Sequence, residues 1–94
     1  MEVIIAPAIR TESGKIYISR YSHANILRMY PLQFKYAEQG FITSRCRFVD
    51  REEGLKIAKE GNGLIKDNST ELFSEDLFLE EQINRRGNVY EWNK

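Results

Sequence analysis

The sequence predicts an α+β fold, a small antiparallel β-sheet carrying two to three helices in one domain spanning residues 1–94. Three observations predict it. Short β-rich runs separated by turn residues recur at the start and in the middle of the chain, and one segment carries a complete set of helix start and stop signals. The length of 94 residues leaves room for one hydrophobic core and no second.

The elements follow in order. Val3, Ile4, Ile5, Ala6 and Ala8 form one apolar run and Ile16-Tyr17-Ile18 another, and the polar Thr11-Glu12-Ser13-Gly14 between them reads as the turn of a β-hairpin. Pro7 has no amide to donate, which predicts that the first strand is an edge or is bulged there. Ser22 caps a helix from about His23 to Met29, with Ile26, Leu27 and Tyr30 on one face before Pro31 stops it. The segment 32–39 alternates like a strand in Leu32, Phe34 and Tyr36 but lacks turn signals that would fix its pairing.

Gly40-Phe41-Ile42-Thr43 and Cys46-Arg47-Phe48-Val49 are β-rich on either side of Ser44-Arg45, which suggests a tight hairpin or a bent strand. Asp50 then starts the clearest helix, Arg51 to Glu60. Its carboxylate is placed to accept orphan amides, Glu53 stands three residues on, Leu55 and Ala58 share a face, and Gly61 terminates. Leu64-Ile65 suits a short strand, and Asp67-Asn68-Ser69-Thr70 is loop chemistry. A further helix fits around Glu75 to Ile83, ending at Arg85-Arg86-Gly87, and Val89, Tyr90 and Trp92 suit a final strand or an arm, 88–94, onto a neighbouring copy.

Composition excludes several classes. The 14 basic and 14 acidic residues cancel, so the general attraction to a polyanion is missing and no direct nucleic-acid partner is expected. The halves differ, however. Residues 1–50 hold 7 basic and 4 acidic groups, and residues 51–94 hold 7 and 10. That asymmetry suits a basic recess in the first half or head-to-tail contact between copies. A single cysteine, Cys46, precludes an internal disulfide, the start lacks a secretory pattern, and no apolar run reaches the roughly 18 residues a membrane helix needs. The expected compartment is the cytoplasm, with no membrane partner.

Catalytic chemistry has little to work with. One histidine and one cysteine make no metal cluster, and neither a phosphate-binding P-loop nor a dinucleotide glycine fingerprint is present, so no metal and no cofactor is expected. Cys46 with His23 is the available nucleophile and base, but a thiol inside an apolar strand is more often a buried structural one. Glu75 and Asp76 are adjacent on a helix and so face different ways, which favours a helix-start role over acid–base work. No catalytic residue is assigned.

Two clusters suit ligand binding. Arg20, Tyr21 and His23 stand where a strand runs into a helix start. There Arg20 either grips a phosphate with His23 beside it, or is a solvated edge residue next to an ordinary helix-start histidine. Arg45, Arg47 and Arg51 are interleaved with Phe41 and Phe48, and arginines with aromatics are the two requirements of a nucleotide pocket. Strand alternation would bring Arg45 and Arg47 to one face with Cys46 and Phe48 on the other. The alternative is a solvated basic strand balanced by Glu52 and Glu53. Lys59 and Lys66 fall outside both clusters and are expected to be neutral to binding.

The order Arg20-Tyr21-Ser22-His23, Glu38-Gln39-Gly40-Phe41-Ile42-Thr43, Arg47-Phe48-Val49-Asp50-Arg51-Glu52-Glu53, Ile57-Ala58 and Leu72-Phe73-Ser74-Glu75-Asp76-Leu77 resembles a group of small phage-encoded proteins. That group looks like the first type of Thoeris anti-defence sponge, and the resemblance covers roughly residues 4–77. It implies a non-enzymatic protein that sequesters cyclic nucleotide-derived immune signals, cyclic ADP-ribose isomers and in some members cyclic oligonucleotides. It also implies a homo-oligomer, dimer or higher, with pockets lined from more than one subunit. A short chain that buries only ~60–65% of its unfolded surface agrees with self-association. On this reading the ligand residues are Arg20, His23, Phe41, Arg45, Arg47 and Arg51. Two rival readings are a protein-interaction module whose acidic segment, Glu71 to Glu81, mimics nucleic acid toward a host enzyme, and a small DNA- or RNA-binding regulator, which the neutral charge disfavours.

Overall fold

In the computed structural model, residues 1–19, 22–29, 37–66, 69–77 and 89–92 are described. They form the expected α+β fold. Its elements run β1 (Ile4–Arg10), β2 (Ile16–Ser19), α1 (His23–Met29), β3 (Glu38–Thr43), β4 (Phe48–Asp50), α2 (Arg51–Gly61), the one-turn α3 (Ser74–Leu77) and β5 (Val89–Trp92). The strands make one five-stranded sheet in the order β4-β3-β1-β2-β5, every pairing antiparallel.

Both predicted hairpins form. Gly14, at φ 92°, supplies the left-handed backbone of the first turn. The second hairpin loops through residues 44–47 rather than a two-residue turn, so Cys46 is no strand residue. It is exposed at φ 58°, in the turn. The buried structural thiol expected there is absent because the strand ends at Thr43, whose amide bonds the Arg47 carbonyl across the loop.

β1 is central, not an edge. It pairs with β3 along its length and with β2 from Ala8 onward, so Pro7 sits where only the β3 side is paired, opposite Phe41. The irregularity that Pro7 foreshadowed falls just before it, as a register shift between Ile4 and Ala6.

Alternation places Ile4, Pro7, Ile9, Tyr17, Phe41 and Val49 on one sheet face, and the helices pack there. α2 brings Leu55, Ile57 and Ala58 onto Ile4, Phe41, Val49 and Leu72, and α1 brings Ile26 onto Ile9 and Tyr17. Ser22 caps α1 through the Asn25 amide at 3.1 Å, and Asp50 Oδ1 caps α2 through the Glu53 amide at 2.8 Å. Gly61 ends α2 by a different route from the one expected. It lies within the last turn with its Cα against the Glu2 backbone, and Asn62 is the C-cap.

Leu64-Ile65 forms no strand, and Ile65 is 90% exposed. The helix expected over 75–83 begins at Ser74, and its part beyond Leu77 lies outside the described residues, as do Tyr30 and, in the ambiguous segment, Leu32 to Tyr36. Glu38 and Gln39 begin β3. The tail takes the strand alternative, pairing with β2 from Ser19–Val89 to Ile16–Trp92. Among the described residues no helix is long and apolar enough to cross a membrane.

Candidate functional site

His23 is the first residue of α1 because Ser22 caps the helix there, and the cap turns the imidazole inward to 5% exposure. Its Nε2 lies 2.6 Å from the Gly40 carbonyl, which can only accept, so Nε2 carries the proton. Nδ1 then accepts from the Ser74 hydroxyl at 2.8 Å, and the ring meets Phe41 edge-on at 5.0 Å. Burial holds the pKa down to about 4, with the nearby Arg51 charge adding to the effect against the carbonyl bond. His23 is thus a neutral tie between α1, β3 and α3, with both nitrogens occupied. The exposed Cys46 sits on the β3–β4 turn and has no part in this node.

Arg51, the first residue of α2, extends across the neighbouring surface. Its guanidinium lies over the Phe73 ring, 4.7 Å from the centroid, and donates to Gln39 Oε1, while its buried Nε has no hydrogen-bond partner among the described residues. The Leu72 amide bonds the Arg51 carbonyl at 2.9 Å and so holds Phe73 in place. Lys66 also lies over Phe73, at 4.6 Å, and pairs with Asp76 at 2.6 Å. Arg51 lines a cavity of about 220 Å³ with Glu38, Gln39, Asp50, Glu52 and Glu71.

Arg47 is used differently. Nε and NH2 grip both oxygens of Glu2 at 2.7 and 2.8 Å, and NH1 reaches Glu53 Oε1 at 2.8 Å. This bidentate clamp, helped by a Thr43 hydroxyl bond, holds the Glu2 carboxyl down to about 2. Arg45 is exposed in the turn, where its amide bonds Thr43 Oγ1 at 3.2 Å.

The structure therefore gathers His23, Phe41 and Arg51 and leaves Arg45 and Arg47 in a separate group around Glu2. Phe41 is fully buried in the core beneath α2, and Phe48 lies on the opposite sheet face under the Arg10 guanidinium, at 4.7 Å. Arg20 lies outside the described residues.

A second groove was missed. Glu52, Leu55, Lys56 and Lys59 face it from α2, Ser69 and Thr70 close it, and its volume is about 330 Å³. The signal was present in the spacing, since positions i, i+3, i+4 and i+7 make one helical stripe. The stripe carries no arginine or aromatic, the residue types that mark a nucleotide pocket in a sequence. Lys59, expected to be neutral, lines this groove, and Lys66, expected likewise, stacks on Phe73.

The family model described as the phage T4 y16D protein matches residues 3–78. The chain belongs to that family. It is on this ground a phage protein, and the matched stretch contains both cavities and all six arginine-cluster and core residues singled out above, while β5 lies beyond it. No curated protein and no solved structure matches the chain.

Proposed function

We propose that this phage protein captures a phosphorylated, nucleotide-derived signal and holds it without converting it. The observation that carries the reading is Arg51. Its guanidinium lies over an aromatic ring beside a cavity, with a buried Nε that lacks an acceptor among the described residues. A buried donor left unpaired costs about 1–3 kcal/mol, and a ligand acceptor reaching it offsets that cost; the acidic lining beside it, Glu38, Asp50, Glu52 and Glu71, favours an uncharged acceptor of the ligand there over its phosphates. His23 supports holding over turnover. Both of its nitrogens are committed inside the fold, so it offers no free base to a bound ligand.

For a phage, such capture amounts to anti-defence, the removal of cyclic nucleotide immune signals such as cyclic ADP-ribose isomers and cyclic oligonucleotides, in the host cytoplasm. The resemblance in motif order supports this, and so does the phage family. We take the acting form to be a homo-oligomer. Among the arginines, Arg45 is exposed and makes no ion pair among the described residues, so its charge remains available at a subunit boundary.

The test is recovery. Purified protein is incubated with a panel of cyclic nucleotides and cyclic ADP-ribose isomers, then heated, and the released material is chromatographed. Depletion followed by release of intact ligand is the expected result. A converted product would make the protein an enzyme, and no depletion would sink the reading in favour of an inhibitor acting through its acidic segment.

A further inference from the structure

The α2 groove has the composition of a phosphate seat, and we propose that it holds the phosphate groups of the captured ligand, an inference that rests on the capture reading above. Lys56 and Lys59 both stand at its edge, one helical turn apart, exposed, and without an ion pair among the described residues. Glu52 is four residues before Lys56, a spacing at which such pairs commonly form, yet among the described residues no ion pair joins them. Two ammonium groups against one carboxylate leave the groove net positive, which suits a ligand with more than one phosphate charge.

The rest of the lining fits an ester rather than a bare ion. Leu55 supplies an apolar wall, and at about 330 Å³ the groove is at the lower end of ligand-pocket sizes, roughly 300–1,000 Å³. Thr70 is exposed at the rim and adds a hydroxyl. Ser69 has a different part. Its hydroxyl donates to the Glu71 carbonyl at 3.0 Å, which shapes the loop that closes the groove. Glu52 also lines the Arg51 cavity, so the two recesses meet at that side chain. The ligand class is a nucleoside carrying two or more phosphate charges, its phosphates on the lysines and its body against Leu55.

Calorimetric titration of the parent, of the double variant Lys56→Gln/Lys59→Gln and of Arg47→Gln decides this, with ADP, inorganic pyrophosphate and adenosine as probes. Both lysines are exposed, so the double variant should keep the parent's melting temperature, which is checked first. ADP should bind the parent and lose about ten-fold in affinity per lysine, on the order of a hundred-fold in the double variant. Arg47→Gln should leave ADP affinity within about two-fold, since its donors face Glu2 and Glu53. Adenosine should bind more weakly than ADP. Pyrophosphate binding as tightly as ADP would identify a site for the free anion and overturn the nucleoside part. A double variant that binds ADP like the parent, or a parent that binds neither ADP nor pyrophosphate, overturns the seat. The recovery panel separates the two readings. If the parent and the double variant capture a panel nucleotide equally, the groove is wrong and capture stands; if the parent captures nothing, both fall.

Discussion

His23 shows how one buried side chain ties acid sensitivity to the fold. The neutral ring accepts from Ser74 and donates to Gly40, and burial lowers its pKa from 6.5 to about 4. Below 6.5 the unfolded chain takes up a proton that the folded chain refuses, so stability falls with pH across the window from 6.5 down to about 4. The loss approaches ~3 kcal/mol at the lower end, at about 1.4 kcal/mol per unit. Chemical denaturation at several pH values checks this, and His23→Gln should flatten the curve in that window. Glu2 acts in a lower one. Its carboxyl is held at about 2 chiefly by Arg47, so its contribution is present above 4.5 and fades from 4.5 toward 2. Arg47→Ala should therefore lower the melting temperature, and the difference from the parent should shrink in about 1 M salt, where exposed ion pairs are screened. An Arg47→Ala protein that melts like the parent would free that side chain for a ligand role.

Among the elements, α2 is held at both ends by side chains that replace missing backbone partners. Asp50→Ala removes the acceptor for the Glu53 amide and should cost about 1 kcal/mol. At the other end, Asn62 bonds both the amide and the carbonyl of Ile4, at 2.9 and 3.1 Å, as a neighbouring strand would. Asn62→Ala leaves both groups of a buried residue unpaired, for a loss of about 1–3 kcal/mol in urea melts. Gly40 is the most demanding position in the sheet. A Cβ there would stand 2.1 Å from the Val49 carbonyl oxygen and 2.5 Å from the Phe48 ring. Since backbone cannot retreat, Gly40→Ala should cost on the order of 3 kcal/mol and separate β4 from β3. Retention of the parent's stability by that variant would contradict the strand pairing.

For the whole molecule, β5 changes the meaning of the C-terminal residues. They close the β2 side of the sheet, so removing 88–94 exposes the β2 edge and the flank of Ile16 and Ile18. The truncated chain should melt at a lower temperature and aggregate, whatever its assembly. The full chain is expected to be an oligomer at tens of micromolar by light scattering, and a monomeric mass would remove the oligomeric part of the proposal. The wide spread of partners in sequence, with Glu2 meeting Arg47 and Ile4 meeting Asn62, means that loss of the first residues loosens elements far along the chain.

By itself the sequence determined the local elements. Ser22 and Asp50 announced two helix starts, Gly14 announced a turn, and alternating runs announced the strands, because caps, turns and side-chain periodicity act within a few residues. It also carried the order of motifs that leads to a phage family. The tertiary structure alone decided what those elements meet. Pro7 pointed to an edge or a bulge, and β1 became a central strand with a register shift just before Pro7, because pairing on its β2 side starts one residue later. Phe41 and Arg51 both read as ligand groups, and packing sent one into the core and laid the other over Phe73. Arg47 met Glu2 across 45 positions, and Lys56 and Lys59 met Ser69 and Thr70 around a groove. Whether a charge is spent inside the fold or left facing a ligand depends on partners distant in the chain, and spacing along the sequence does not carry that information.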